Sequence, residues 1–487
     1  MAELLALVKH DCPVCDLVLP ALDAAGVRIL SQSDEADTAA QAQRLGLSAT
    51  PALDTDLELS QRFDPDAVPA LFLLDGDEEA GRVEGIDRAR LEELAARAGV
   101  ELVLDELPDF RPGCGSRTRD PEVAASLAAR RARAEGRIRA RAVTVGVLED
   151  VFEALHDRGV TDGLPVVPPT PERVVAALAG TSRDPQDVVG LVPPYDGEAT
   201  VEKVAINAVM AGCPPEVLPI VLAAVEAACD PAFAMHGLLA TTYPAGPTVV
   251  VSGPLADEVG MNSGVNALGQ GNRANLTIGR ALQLVVRNLG GGRPGVEDRA
   301  AHGQAGKISS CFAERIAGSP WPPLAVERGL AAGETGVLLH ATEAPRIVID
   351  QLAREPEGLC ATLAPALEHL ATYKQRFVFD ALVVMGPEHA RVFADAGWDR
   401  QRIREELFER TKRPAGELAR GAGGSPEGID PQFIADPDAP IPKFMDPSHI
   451  EIVHAGGEAG LFSMVYGSWV NGEIGSQPVF RSVEPWR

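Results

Sequence analysis

Leu4-Leu5-Ala6-Leu7-Val8-Lys9-His10-Asp11-Cys12-Pro13-Val14-Cys15-Asp16-Leu17-Val18 decides how the first hundred residues are read. The apolar run Leu4 to Val8 has the length of a buried strand. Asp11-Cys12-Pro13 is a turn, and Leu17, Val18, Ala21 and Leu22 recur at helical spacing. Strand, loop and helix follow in that order, with Pro13 at a first-turn position where no backbone N–H is needed. Two cysteines separated by two residues at a helix start bring their sulfurs within bonding reach. The free N–H groups and the helix dipole there favour the thiolate of the first. Cys12 is therefore the candidate nucleophile and Cys15 the candidate resolving thiol. The competing readings are half of a zinc site and a pair of buried thiols, but the chain has no second Cys-x-x-Cys to complete a zinc site.

Outward from this motif, Val27 to Leu30 reads as a second strand, Ala39 to Leu45 as a helix and Leu57 to Phe63 as another helical piece. Ala70 to Leu74 is a fully apolar strand, Arg82 to Gly85 an edge strand and Ile86 to Ala98 a closing helix. Val68-Pro69-Ala70 stands directly before the apolar strand. With the Cys-x-x-Cys helix and this proline, residues 1 to about 100 resemble the thioredoxin superfamily. The resemblance implies a thioredoxin-like fold and a cis peptide bond before Pro69. It further implies that Pro69 faces the cysteine pair, at the backbone that receives an extended thiol substrate.

The 487 residues suggest about three units of roughly 100 to 200 residues each. A formal net charge of −26 argues against nucleic acid or an anionic membrane surface as a partner. The N-terminus lacks the basic start of a secretory signal, and the apolar run Val217 to Ala228 is too short to span a bilayer, so a cytoplasmic location is expected. Seven cysteines is an odd number, and no structural disulfide framework is expected in a chain of this size.

Composition divides the chain into a first domain at residues 1–103, a linker at 104–142, and α/β regions at 143–330 and 331–487, the last two being subdomains of a larger α/β part. No internal repeat is visible in the sequence. Beyond the first domain, three more thiols are candidates for catalysis. Cys114, in Arg111-Pro112-Gly113-Cys114-Gly115-Ser116-Arg117, reads either as an exposed thiol in a mobile loop, activated by the flanking arginines, or as a plain linker cysteine. Its Cys-Gly-Ser is similar to a Cys-or-selenocysteine motif of certain bacterial redox families. Cys213 lies between a helix-ending Gly212 and a helix-starting Pro214-Pro215, with Glu216 working against its ionisation. Cys311 has Lys307 four positions before it, which would favour the thiolate if the segment is helical. Cys229 and Cys360 read as packing residues.

The densest polar stretch runs from Met261 to Arg280. Its glycine-rich loop feeds a helix, so Asn262, Gly271, Asn272 and Arg273, with Lys307, are candidates for binding a small anion. A helix cap with polar packing is the alternative. The loop is neither a P-loop nor a Rossmann turn, because Gly-Lys-Ser/Thr is missing and the preceding strand ends too far upstream, near Ser252. No spacing supports a metal site or a serine hydrolase, and no cofactor is expected. His454-Ala455-Gly456-Gly457-Glu458-Ala459-Gly460 reads as a second anion-binding turn or an empty one. From about Asp162 onward the chain resembles an uncharacterised bacterial family associated with thioredoxin-type and selenoprotein-type redox proteins.

The expected function is a thiol-dependent oxidoreductase. The large part would hold a small anionic or thiol substrate and react through a cysteine, and Cys12 and Cys15 would reset it at the high local concentration of a fused reductant. A thiol reductant protein is the expected partner. The alternatives are a carbon–heteroatom lyase or transferase with an accessory thioredoxin module, and a non-enzymatic thiol sensor or adaptor.

Overall fold

The computed structural model describes residues 2–473 and 475–487. Two compact units divide it, residues 1–134 and 135–487. Both are α/β.

In the first unit, β1 (Ala2–Val8) is the middle of a five-stranded sheet. It pairs parallel with β2 (Arg28–Ser31), which pairs parallel with β3 (Ala52–Leu53). On its other side β1 pairs antiparallel with β5 (Ala70–Asp75), and β5 with β6 (Glu78–Glu84). Leu4 to Val8 and Ala70 to Leu74 are fully buried, as central strands covered on both faces must be. Each such leucine contributes about 2 kcal/mol on leaving water. Around the sheet pack α1 (Pro13–Ala24), α2 (Glu35–Leu45), α3 (Glu58–Phe63) and α4 (Arg88–Arg97). Asp34 caps α2 by accepting from the Asp37 N–H at 2.8 Å, and Gly46 ends it with φ 65°. The expected thioredoxin-like layout is present, including a cis bond between Val68 and Pro69.

The first unit does not stop at residue 103. Short strands β4 (Ala67–Val68) and β7 (Ile86–Asp87) pair antiparallel with β9 (Cys114–Gly115) and β8 (Phe110–Arg111) respectively. Helix α5 (Pro121–Ala134) completes it. The expected linker therefore belongs mostly to the first unit, because its Pro- and Gly-rich segment is strand-paired and not free.

In the second unit the expected boundary at 330/331 is replaced by one eight-stranded sheet that draws strands from both sides of it. The topology occurs twice. Gly246–Ser252 pairs parallel with Cys311–Ala313 and antiparallel with Gly336–Thr342. Phe379–Met385 pairs parallel with Ile450–His454 and antiparallel with Phe462–Val470. The two sets join at Thr342 and Ser468. The strand after each set then crosses to the other: Arg346–Ile349 pairs with Phe462–Val470, and Val479–Ser482 with Gly336–Thr342. This is the internal repeat that the sequence does not display. Among the described residues, no single helix is long and apolar enough to cross a membrane.

Candidate functional site

Cys12 is the N-cap residue of α1, and its sulfur accepts the Cys15 backbone N–H at 3.1 Å. The same sulfur lies 3.4 Å from the Val68 carbonyl oxygen. The Cys12 pKa falls to about 6: a hydrogen bond from the Cys15 side chain is the main cause, and a hydrogen bond from the Cys114 side chain and backbone N–H groups add to it against the cost of burial. Burial and the neighbouring Cys12 push Cys15 well above the ordinary thiol range. One ionised and one protonated sulfur therefore stand side by side, the division of labour that attack and resolution need.

Cys114 is the third member of this cluster. It sits opposite Val68 across β4 and β9. The strap that carries it is held along its length: Ser116 N–H donates to Asp66 O at 2.9 Å, and Gln32 bonds both Ser116 Oγ and the Arg117 N–H at 2.9 Å. The thiol is half-buried against the first unit's core. This corrects the expectation of a mobile loop cysteine activated by arginines, since burial first and the adjacent Cys12 second raise its pKa.

No family model and no curated protein matches this chain. Among solved structures, StoA from Bacillus subtilis is 18% identical, with 20% of this chain and 82% of that chain covered and a TM-score of 0.18. A secreted Mycobacterium tuberculosis disulfide oxidoreductase, described as homologous to E. coli DsbE, is also 18% identical, with 20% and 81% covered and a TM-score of 0.18.

In the second unit the expected thiols are poorly placed for attack. Burial pushes Cys213 up to about 12, although Thr277 and Arg273 are near it. Cys311 is buried at the start of a strand, not on a helix, and burial raises its pKa. Lys307 is spent on Asp298 at 2.7 Å. The polar loop satisfies itself. Asn262 accepts from the Gly264 N–H at 2.9 Å and donates to Val265 O at 2.8 Å. Asn272 caps the helix Arg273–Asn288 through the Asn275 N–H at 2.9 Å, and Arg273 donates to Gly212 O at 2.8 Å. Gly271 supplies φ 109° just before the cap. These residues make a helix cap. The neighbouring Asn266–Gly269 does line a cavity of about 350 Å³, facing the glycine-rich turn Ala455–Gly460 at the ends of two parallel strands.

A second cavity, of about 480 Å³, gathers residues that sequence reasoning missed. Asp380 binds His449 Nδ1 and accepts from Asn471 Nδ2 at 3.0 Å. The Asp380 bond raises the His449 pKa, and a ring held by Nδ1 turns Nε2 away from the carboxylate. His340 lines the same cavity, 1% exposed, and its Nε2 has no hydrogen-bond partner among the described residues. Arg328 and Arg404 both reach Glu451. Among the described residues, no cysteine lines either cavity. No sequence spacing links these side chains, which come from separate strands and loops.

Proposed function

We propose that the first unit is a thiol–disulfide oxidoreductase module in which Cys12 attacks and Cys15 resolves. The observation that carries this reading is the Cys12 sulfur at the head of α1, 3.1 Å from the Cys15 N–H, an arrangement that lowers its pKa to about 6. A low thiol pKa makes Cys12 a good nucleophile at neutral pH and a good leaving group. A cytoplasmic thiol reductant is the partner this reading calls for. The larger unit is the part assigned to a small polar or anionic substrate, in the cavity between Asn266–Gly269 and Ala455–Gly460. The test is dithiothreitol-driven reduction of oxidised glutathione by the full chain. Cys12→Ser should bring it down to the uncatalysed rate, and Cys15→Ser, which removes the resolving thiol, should slow it. Full turnover by Cys12→Ser would refute the reading.

A second reading, a lyase or transferase acting on a carbon–heteroatom bond in the larger unit, is supported by one specific comparison. In the first strand set Thr248 Oγ1 bonds Ser310 Oγ at 2.8 Å and Thr342 Oγ1 at 2.6 Å. Thr248 and Ser310 stand one residue before the register pair Val249 and Cys311. Asp380 and His449 stand one residue before the matching pair Ala381 and Ile450. Thr342 ends the third strand of its set, and Asn471 directly follows the third strand of the other. Hydroxyls alone satisfy this corner in one copy, so the fold does not require an Asp–His–Asn group in the other. Such a group beside a cavity suits proton transfer. Turnover that consumes no reductant and is lost in His449→Gln, but not in Cys12→Ser, would select this reading.

A further inference from the structure

We propose that the strap Phe110–Gly115 is a built-in substrate strand, and that its Cys114 is a third exchange thiol linking the buried Cys12–Cys15 pair to external thiols. The inference rests on the reading of Cys12 as the nucleophile. Three observations carry it. Cys114 is register-paired with Val68, the residue whose carbonyl oxygen touches the Cys12 sulfur, so backbone pairing itself delivers the thiol to that sulfur. The strap approaches through a glycine contact made for closeness: a Cβ on Gly113 would stand 2.7 Å from Val68 O, and one on Gly85 2.6 Å from Gly113 N. Cys12 and Cys15 are 1% and 0% exposed, whereas Cys114 is the one sulfur-bearing residue of the three that is not fully buried.

The exchange balances without an added oxidant. In the oxidised unit the Cys114 thiolate attacks the Cys12 sulfur of the Cys12–Cys15 disulfide. The Cys12–Cys114 bond forms, the Cys12–Cys15 bond breaks, and Cys15 leaves as a thiolate that takes up the proton Cys114 gave up. An external thiolate then attacks the Cys114 sulfur, and Cys12 departs as a thiolate, the easier leaving group because its pKa is low. A second external thiolate attacks the mixed disulfide on Cys114 and restores the thiol. In sum two external thiols become one disulfide, while Cys12 and Cys15 are reduced to two thiols. The reverse sequence reduces an external disulfide. Burial is the larger obstacle to ionising Cys114, but its hydrogen bond to the Cys12 sulfur and then the Cys12 charge come next, and both are absent once Cys12 is in a disulfide.

The test oxidises the full chain with oxidised glutathione, quenches in acid, alkylates and maps the disulfides without reduction. Wild type should yield both Cys12–Cys15 and Cys12–Cys114. Cys15→Ser should yield Cys12–Cys114, and Cys114→Ser only Cys12–Cys15, with slower exchange. The proposal is overturned if Cys15→Ser ends with glutathione on Cys12 and Cys114 still open to alkylation. A Cys12 that stays unmodified in every variant would instead sink the thiol-exchange reading beneath it. A Gly113→Ala variant provides a second readout, since it displaces the strap without removing a sulfur: formation of Cys12–Cys114 in Cys15→Ser should slow severalfold when this change is added, and an unchanged rate counts against the strap.

Discussion

Gly113 lies so close to Val68 that a methyl group on it would stand 2.7 Å from the Val68 carbonyl oxygen, nearer than a carbon and an oxygen can rest. The strap and β4 meet here with backbone against backbone and the Ala67 methyl beside it. Gly113→Ala must push them apart, which uncovers Cys12. Its alkylation by iodoacetamide at pH 7 should then become severalfold faster than in the wild type. Equal rates would mean that the strap does not shield the sulfur.

The Cys12 thiolate gives a pH signature. Alkylation of reduced protein at Cys12 should rise with pH around a midpoint of about 6, and Cys114→Ala, which removes one donor to that sulfur, should move the midpoint upward. The sign carries over to stability. A thiol depressed below its unfolded value of 9.0 stabilises the reduced fold fully above pH 9, and that contribution is lost as pH falls through about 6. Thermal unfolding of wild type and Cys12→Ser across this window checks it.

For the larger unit, proton NMR of His449 should show a pKa above the ordinary histidine value, because Asp380 holds the protonated ring. Asp380→Asn should lower it. A raised folded pKa means that the pair stabilises the fold below the unfolded value and stops doing so as pH rises through the folded one. An unmoved titration in Asp380→Asn would remove the carboxylate as the cause.

Arg400 and Glu314 form an ion pair at 2.6 Å with side chains 1% and 0% exposed. Arg400→Met leaves the Glu314 carboxylate buried without its partner and should cost about 3–5 kcal/mol. Adding Glu314→Gln should recover part of the loss, because the uncompensated charge is gone. Chemical denaturation of both variants measures this, and additive losses would contradict it.

What the sequence made legible is what neighbouring residues determine. The strand–turn–helix around Cys12, the apolar strand after Pro69 and the helix Arg273–Asn288 all follow from local pattern and punctuation. In sequence the strap reads as a connector, because Pro, Gly and Arg describe one equally well, and only its distant partners Val68 and Ile86 turn it into strand. The polar loop reads as an anion site because its side-chain donors are numerous, while in the fold the Asn262 and Asn272 side chains bond the backbone of their own segment. Asp380, His449 and Asn471 left no trace because strand pairing, not spacing along the chain, assembles them. The repeat stayed hidden because sheet topology is kept by apolar strands of interchangeable sequence, while the residues at its corners differ.

The crossing of Arg346–Ile349 and Val479–Ser482 into each other's strand sets has a practical result. Each half of the larger unit is closed by a piece of its twin, so a cut between residues 350 and 378 would leave two fragments, each with an open sheet edge and each lacking what only the other can provide. Expressed alone, either fragment should aggregate through that edge. Expressed together, they should find one another and dock, behaving as two subunits that happen to be encoded in a single reading frame.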